Sequence, residues 1–287
     1  ITRLCCPDAL MSRPLLPEVW YPNYHHHPLF NGYGAVCREF DGWPSHDELT
    51  AQANRRAVRN QVGKDVAFVP QTERLSQRAY EQHIGQTGEV PTRSENWHDF
   101  LNACAWLTYP QSKAAINAVH CAQPENSVRS QASDAATVFD ESGAILVGPD
   151  PRLAYWLRNH DWHQAFVVHR SLWQHHQLLI FGHAVLEKTL RPYPGMIAKV
   201  IYQPWPAIAS GTRAQPPEGL DAVVAKRWLD GEFTNAATLF ALPVLGVPGV
   251  DPASEDPAYY ENVQVFRPAA RAVDRKTDGD FKLVTGY

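Results

Sequence analysis

At 287 residues the chain can bury a sizeable core, as one large domain or two small ones. Hydrophobic residues at 44% and charged residues at 20% exclude a disordered chain. With 26 Lys+Arg against 30 Asp+Glu and no basic block, clustered cations for a phosphate backbone are missing, so no nucleic-acid partner is expected. No run of about 18 apolar residues occurs, so no membrane span is expected. The nearest stretch, TLFALPVLGVPGV at 238–250, is short and broken by Pro243 and Pro248.

From the start of the chain, the first methionine is Met11, and MSRPLLPEVW reads as a natural beginning. Residues 1–10 are accordingly set aside as leader, and 1–13 and 269–287 are expected to be flexible ends around a single domain at 14–268. No basic stretch followed by an apolar run marks a secretory signal. The five cysteines (Cys5, Cys6, Cys37, Cys104 and Cys121) are odd in number and form no CxxC pair, which argues against disulfides or a thiolate zinc site. A reducing cytoplasm fits best. Residues 14–44 are rich in turn signals and predict an ordered, irregular opening. His25, His26 and His27 within it are adjacent, a spacing that hinders convergence on one ion.

Ser45 with Glu48 forms a capping box and predicts a helix over 46–56. VAFVP at 66–70 predicts a short strand, and AYEQHIGQTG at 79–88 a helix closed by glycine. Helices follow at 95–108 and 111–122, parted at Pro110. TVFDESGAILVG at 137–148 reads as a hairpin turning at Glu141, Ser142 and Gly143. Asp150 before Pro151 is an N-cap and N1 pair. Further helices are expected at 151–159, 162–176, 178–190 and 218–230, with a strand near 197–202. The Pro/Gly-dense 243–268 predicts a long ordered loop. The fold class is therefore α+β, mainly helical, with a small β-hairpin or sheet and that long C-terminal loop.

Two segments carry polar groups where bland side chains would serve. In ENWHDFLNACAWLTYPQ, Trp97, Phe100, Leu101 and Cys104 make a core stripe at i, i+3, i+4, i+7. The neighbouring face carries His98 and Asn102, with Asp99 beside them in the first turn, where the helix dipole favours a carboxylate. In LLIFGHAVLEKTL, read as a helix apolar nearly all round, Glu187 is expected to be buried with His183 one turn away. A buried carboxylate needs a proton, a cation or a metal. Lys188 adds a cation to the same segment. No P-loop, GxGxxG, GxSxG or HExxH occurs, so nucleotide and standard hydrolase signatures are absent.

NWHDFLNACAWLTYPQSKAAIN (96–117), VFDESGAILV (138–147), FGHAVLEK (181–188), LPVLGVPG (242–249) and EDPAYYENVQVFRP (255–268) together resemble the bacterial family called domain of unknown function 3025. Their order and spacing fit over roughly residues 66–268. The resemblance implies a bacterial protein and supplies no reaction, substrate or cofactor. Leu101 stands where the family pattern has an aromatic residue, and Ser254 replaces its asparagine before Glu255. Neither change touches His98, Asp99, His183 or Glu187.

The best reading is a pocket between the 95–108 and 178–190 helices, doing metal-assisted or acid–base chemistry, hydrolytic in type, on a small polar molecule. His98 and His183 would be ligands or bases, Asp99 and Glu187 carboxylate ligands or orienters, and Lys188 or Lys113 the holder of an anionic group. The ligand set suits a divalent transition metal, Zn, Mn or Fe. The competing reading is a non-catalytic binding or scaffold protein, its protein partner unknown, in which the His/Glu/Asp network is structural.

Overall fold

Capping groups set most of the helix starts. The computed structural model describes residues 18–122, 130–208 and 215–268. The expected leader with Cys5 and Cys6, and the tail expected to fray, lie outside the described residues. The opening is irregular, as its turn residues imply, with short 3₁₀ turns before α1 (Gly34–Cys37). α2 (His46–Arg55) begins on the capping box: the Glu48 amide donates to Ser45 Oγ and the Ser45 amide to the Glu48 carboxylate. β1 (Ala67–Pro70) pairs in parallel with β2 (Glu89–Thr92), and α3 (Gln77–Thr87) makes the crossover. Gly88 ends α3 at φ 83°, a left-handed conformation that a side chain would strain.

α4 (Trp97–Thr108) is buried on almost every side. Asn96 caps it by accepting the Asp99 amide, and Glu18 accepts the Trp97 amide from the opening segment. α5 (Pro110–Cys121) has no cap of its own. Asp221, from another helix, accepts the Gln111 and Ser112 amides at 2.8 and 2.9 Å.

The hairpin expected at 137–148 is not formed. Residues 131–142 are α6 (Gln131–Ser142), started by Ser130 accepting the Ser133 amide, and the strand β3 (Gly143–Gly148) follows without a turn. Thr137, Val138 and Phe139 read as strand formers, but the cap and burial of Ala135, Ala136 and Phe139 against the core override that propensity. α7 (Pro151–Arg158) starts at Asp150 as expected. The helix expected over 162–176 is instead a π turn at Gln164–Val168 and a 3₁₀ turn at Arg170–His175.

The helix expected over 178–190 is also corrected. Its first part is β4 (Gln177–Ile180), paired antiparallel with β3, and only His183–Lys188 is helical (α8). Short apolar runs do not distinguish strand from helix by periodicity. β5 (Ile197–Pro204), α9 (Leu220–Leu229) and β6 (Phe240–Pro243) complete the order. The four-stranded sheet runs β4-β3-β5-β6, with β3 and β5 parallel and both outer pairs antiparallel. β3 is buried along its whole length, as befits the GAILVG run at the sheet's centre. The 243–268 segment is a loop with three short 3₁₀ turns, which lay Tyr260 and Phe266 against Phe166. The chain is thus a mainly helical α+β protein, and among its described residues no helix is long and apolar enough to cross a membrane.

One junction fixes where α8 begins. The Gly143 carbonyl accepts the amides of both Phe181 and Gly182 at 2.9 Å, which ties the start of α8 to the α6–β3 corner. A Cβ on Gly182 would sit 2.4 Å from the Gly143 nitrogen and 2.5 Å from the Glu141 carbonyl oxygen. Only glycine permits that approach.

Candidate functional site

His98 leaves the first turn of α4, Glu141 the last turn of α6, and His183 the first residue of α8. The tie between Gly182 and the α6–β3 corner therefore brings two of the three together, and α4 packs across them. The His98 and His183 Nε2 atoms lie 3.1 Å apart, and Glu141 Oε1 is 3.7 Å from His183 Nε2 and 3.9 Å from His98 Nε2. One ligand atom from each residue falls within 4.8 Å of the others. Ligands about 2.1 Å from a tetrahedral ion stand about 3.4 Å from one another, so these edges bracket the geometry of a metal site.

The outer nitrogens define the tautomers. His98 Nδ1 lies 3.0 Å from Glu187 Oε2, an acceptor, so this nitrogen carries a proton. His183 Nδ1 is buried without a hydrogen-bond partner, and the nearest carboxylate oxygen, Asp140 Oδ2, is 4.0 Å away. If His98 is neutral, its Nε2 is a bare lone pair. His183 must then either donate through Nε2, leaving an unprotonated Nδ1 facing a carboxylate, or turn a second lone pair toward the first. A cation between the two Nε2 atoms removes the conflict, with Glu187 as the carboxylate behind one ligand histidine. A proton on His98 removes it too.

Burial pushes His183 down to about 3 against the pull of Asp140, so its ring is neutral at ordinary pH. Desolvation also opposes charging His98, but Glu187, Glu141 and Asp99 together outweigh it and the pKa is raised. Burial raises Glu141, partly offset by His98. Asp140 is buried as well, yet Lys113 and His183 hold it below the usual carboxylate range.

Behind His183 runs a closed set of charges. Lys113 Nζ donates to Asp140 Oδ1 at 2.6 Å and to Asn102 Oδ1 at 2.8 Å, and stands over the Trp106 ring. In front lies a cavity of about 510 Å³, whose wall includes Tyr80, Asn102, Arg74, Arg93, His120 and the three converging side chains.

The structure redistributes the residues singled out in the sequence. His98 and His183 meet. Glu187 reaches His98 but stands outside the ligand group, and its side chain is 39% exposed rather than buried. The helix begins at His183 and not at 178, which rotates the arc on which Glu187 was placed inside. Asp99 turns to Arg93, accepting from its amide, Nε and Nη2 at 2.7, 2.9 and 2.6 Å, so it lines the cavity without joining the cluster. Lys188 is exposed and lines a different groove with Trp97 and Tyr193. Lys113 is buried and engaged by Asp140 and Asn102. Glu141 is the residue that sequence reasoning missed. It lay in the expected hairpin turn, and only the recognition of 131–142 as a helix would have placed it in the last turn before the β3 strand.

No curated protein and no solved structure matches this sequence. The family model described as protein of unknown function (DUF3025) matches residues 66–270, a span that holds every residue of the cluster, and the chain belongs to that family.

Proposed function

We propose that His98, His183 and Glu141 hold a divalent transition metal and that the protein is a metal-dependent enzyme, hydrolytic in type, acting on a small polar molecule in the adjoining cavity. The observation that carries this reading is the pair of Nε2 atoms 3.1 Å apart, with a carboxylate oxygen within 3.9 Å of both. Three protein ligands would leave at least one coordination position open, and an ion held there would supply a Lewis acid and an activated water for the hydrolysis of an acyl or phosphoryl bond. Glu187 would fix the His98 ring through Nδ1. Arg93, whose Nη1 is left over by Asp99, and the exposed Arg74 would hold an anionic part of the substrate. Cys37 and Cys104 are free thiols, which suits a reducing cytoplasm.

Protein purified without a polyhistidine tag should carry about one equivalent of Zn, Mn or Fe per chain by elemental analysis. Chelation should lower the melting temperature, since an ion bound only by the folded state adds stability by mass action. His183→Ala should abolish both the metal and the chelator effect, and His25→Ala neither.

The raised pKa of His98 favours a second reading. As an imidazolium, His98 donates to Glu187 and to His183 Nε2, and the two facing ring nitrogens are reconciled with no ion. Under that reading the protein is a metal-free binding or scaffold protein, and its melting temperature is indifferent to chelator.

A further inference from the structure

The direction of hydrogen bonding through the α3–α4–α5 contact is fixed by chemistry. Lys113 is an ammonium with donors and no acceptor, so the Asn102 atom facing it at 2.8 Å must be the amide oxygen. The Asn102 amide nitrogen is then the atom 3.1 Å from the Tyr80 hydroxyl, and it can only donate. Tyr80 Oη is therefore an acceptor from Asn102, and its own proton is directed elsewhere. Tyr80 lines the cavity that holds His98, Glu141 and His183, and Asn102 lies one turn beyond His98 on α4. Among the described residues Tyr80 Oη makes no hydrogen bond besides the one from Asn102.

We propose that Tyr80 is the substrate-facing donor of this site: Lys113 and Asn102 lock its hydroxyl so that the O–H donates to a metal-bound oxygen of the substrate, which makes the substrate class one bearing an acyl or phosphoryl oxygen that gains negative charge. The inference rests on the metal reading above and adds to it the group that stabilises charge on the reacting oxygen. Burial holds the Tyr80 phenol well above its ordinary pKa, so it stays a donor across the working range. Asn102 and Lys113 are positioning residues that act through it.

The test uses the full chain loaded with Co²⁺, and acetohydroxamate as an oxyanion probe that binds the metal, followed by calorimetry and the cobalt visible spectrum. Tyr80→Phe should keep full metal content and a cooperative melting transition while weakening the probe about 10-fold, the loss of one hydrogen bond to a charged group. Asn102→Asp sharpens the point, because a carboxylate beside Lys113 accepts the Tyr80 proton and turns it away from the cavity. That variant should weaken the probe about as much as Tyr80→Phe, with Tyr80 still present. Full metal and unchanged probe affinity in Tyr80→Phe would overturn the role of Tyr80 and leave the metal centre standing. Loss of metal in Tyr80→Phe, or wild-type protein that binds metal but no probe, would also overturn it. Wild-type affinity in Asn102→Asp, beside weakened Tyr80→Phe, would overturn the locked polarity. Wild-type protein that takes up no metal would remove the metal reading and this inference together.

Discussion

Two polar clusters in this protein are built on opposite terms. In the C-terminal segment Arg170 donates to the Ser254 carbonyl and the Tyr260 hydroxyl at 3.0 Å and to Glu255 at 2.7 Å, while the Tyr260 hydroxyl lies within 3.0 Å of the Gly246 and Ser254 carbonyls. The guanidinium and the phenol find their partners inside the protein, and the cluster serves as a staple for the 243–268 loop. The cluster at His98, Glu141 and His183 does not close. With both rings neutral, either two Nε2 lone pairs face each other beside the cavity or His183 Nδ1 is left bare opposite Asp140. A polar network that completes itself points to structure, whereas one that needs an outside cation or proton points to a site.

The largest effect should come from the charges that support the open cluster. Lys113 and Asp140 have side chains only 4% and 15% exposed. Lys113→Met leaves a buried carboxylate unpaired and should destabilise by about 3–5 kcal/mol in urea unfolding. Because Lys113 holds Asp140 below the usual carboxylate range, the pair's contribution is present at neutral pH. It is lost as pH falls through the depressed pKa, so the gap between wild type and variant should close only in acid. A gap that closed near neutral pH would contradict the paired assignment.

Metal removal should come next. With free ion about 100-fold above its Kd, a bound metal adds about 2.7 kcal/mol, which chelation takes away and His183→Ala should make invisible to chelator. The closed cluster gives the contrast. Arg170→Met should cost about 1–3 kcal/mol, through the hydrogen bonds stranded on Ser254 and Tyr260, and leave metal content unchanged. If Arg170→Met altered metal binding, the two clusters would not be independent.

The smallest stability effect is expected at Glu187. Its side chain is 39% exposed, so solvent screens the pair with His98, and Glu187→Ala should cost no more than about 1 kcal/mol. Metal affinity should nevertheless fall about 10- to 100-fold, the usual consequence of removing a carboxylate behind a ligand histidine. Affinity equal to wild type by competition with a chromophoric chelator would detach Glu187 from the site.

How far the sequence anticipated this arrangement depends on whether the signal was local. The Ser45–Glu48 box, Gly88 and the Asp150–Pro151 start are decided by chemistry within four residues, and they were legible. The oddity of His98 and His183 on apolar segments was legible for the same reason. Where tertiary pairing decides, the reading failed. Leu178, Leu179 and Ile180 become a strand because β3 lies beside them, and β3 is available because α6 ends where a turn was expected. The expected hairpin hid Glu141, and the helix begun too early at 178 put Glu187 on the wrong side. The Asp221 cap of α5 comes from more than 100 residues away, and no short motif announces it.

The contact at Gly182 sets the tolerance of the whole site. His183 and Glu141 are spaced by main-chain atoms of two segments in touch, and a single methyl at 182 would meet the Gly143 nitrogen at 2.4 Å. Side chains around a cluster adapt by changing rotamer, but touching backbones can only separate. The spacing of His183 and Glu141 thus behaves like a machined gap rather than an adjustable one. Variation at the cavity wall would change its lining, whereas a side chain at position 182 would pull His183 and Glu141 apart and leave both still present in the sequence.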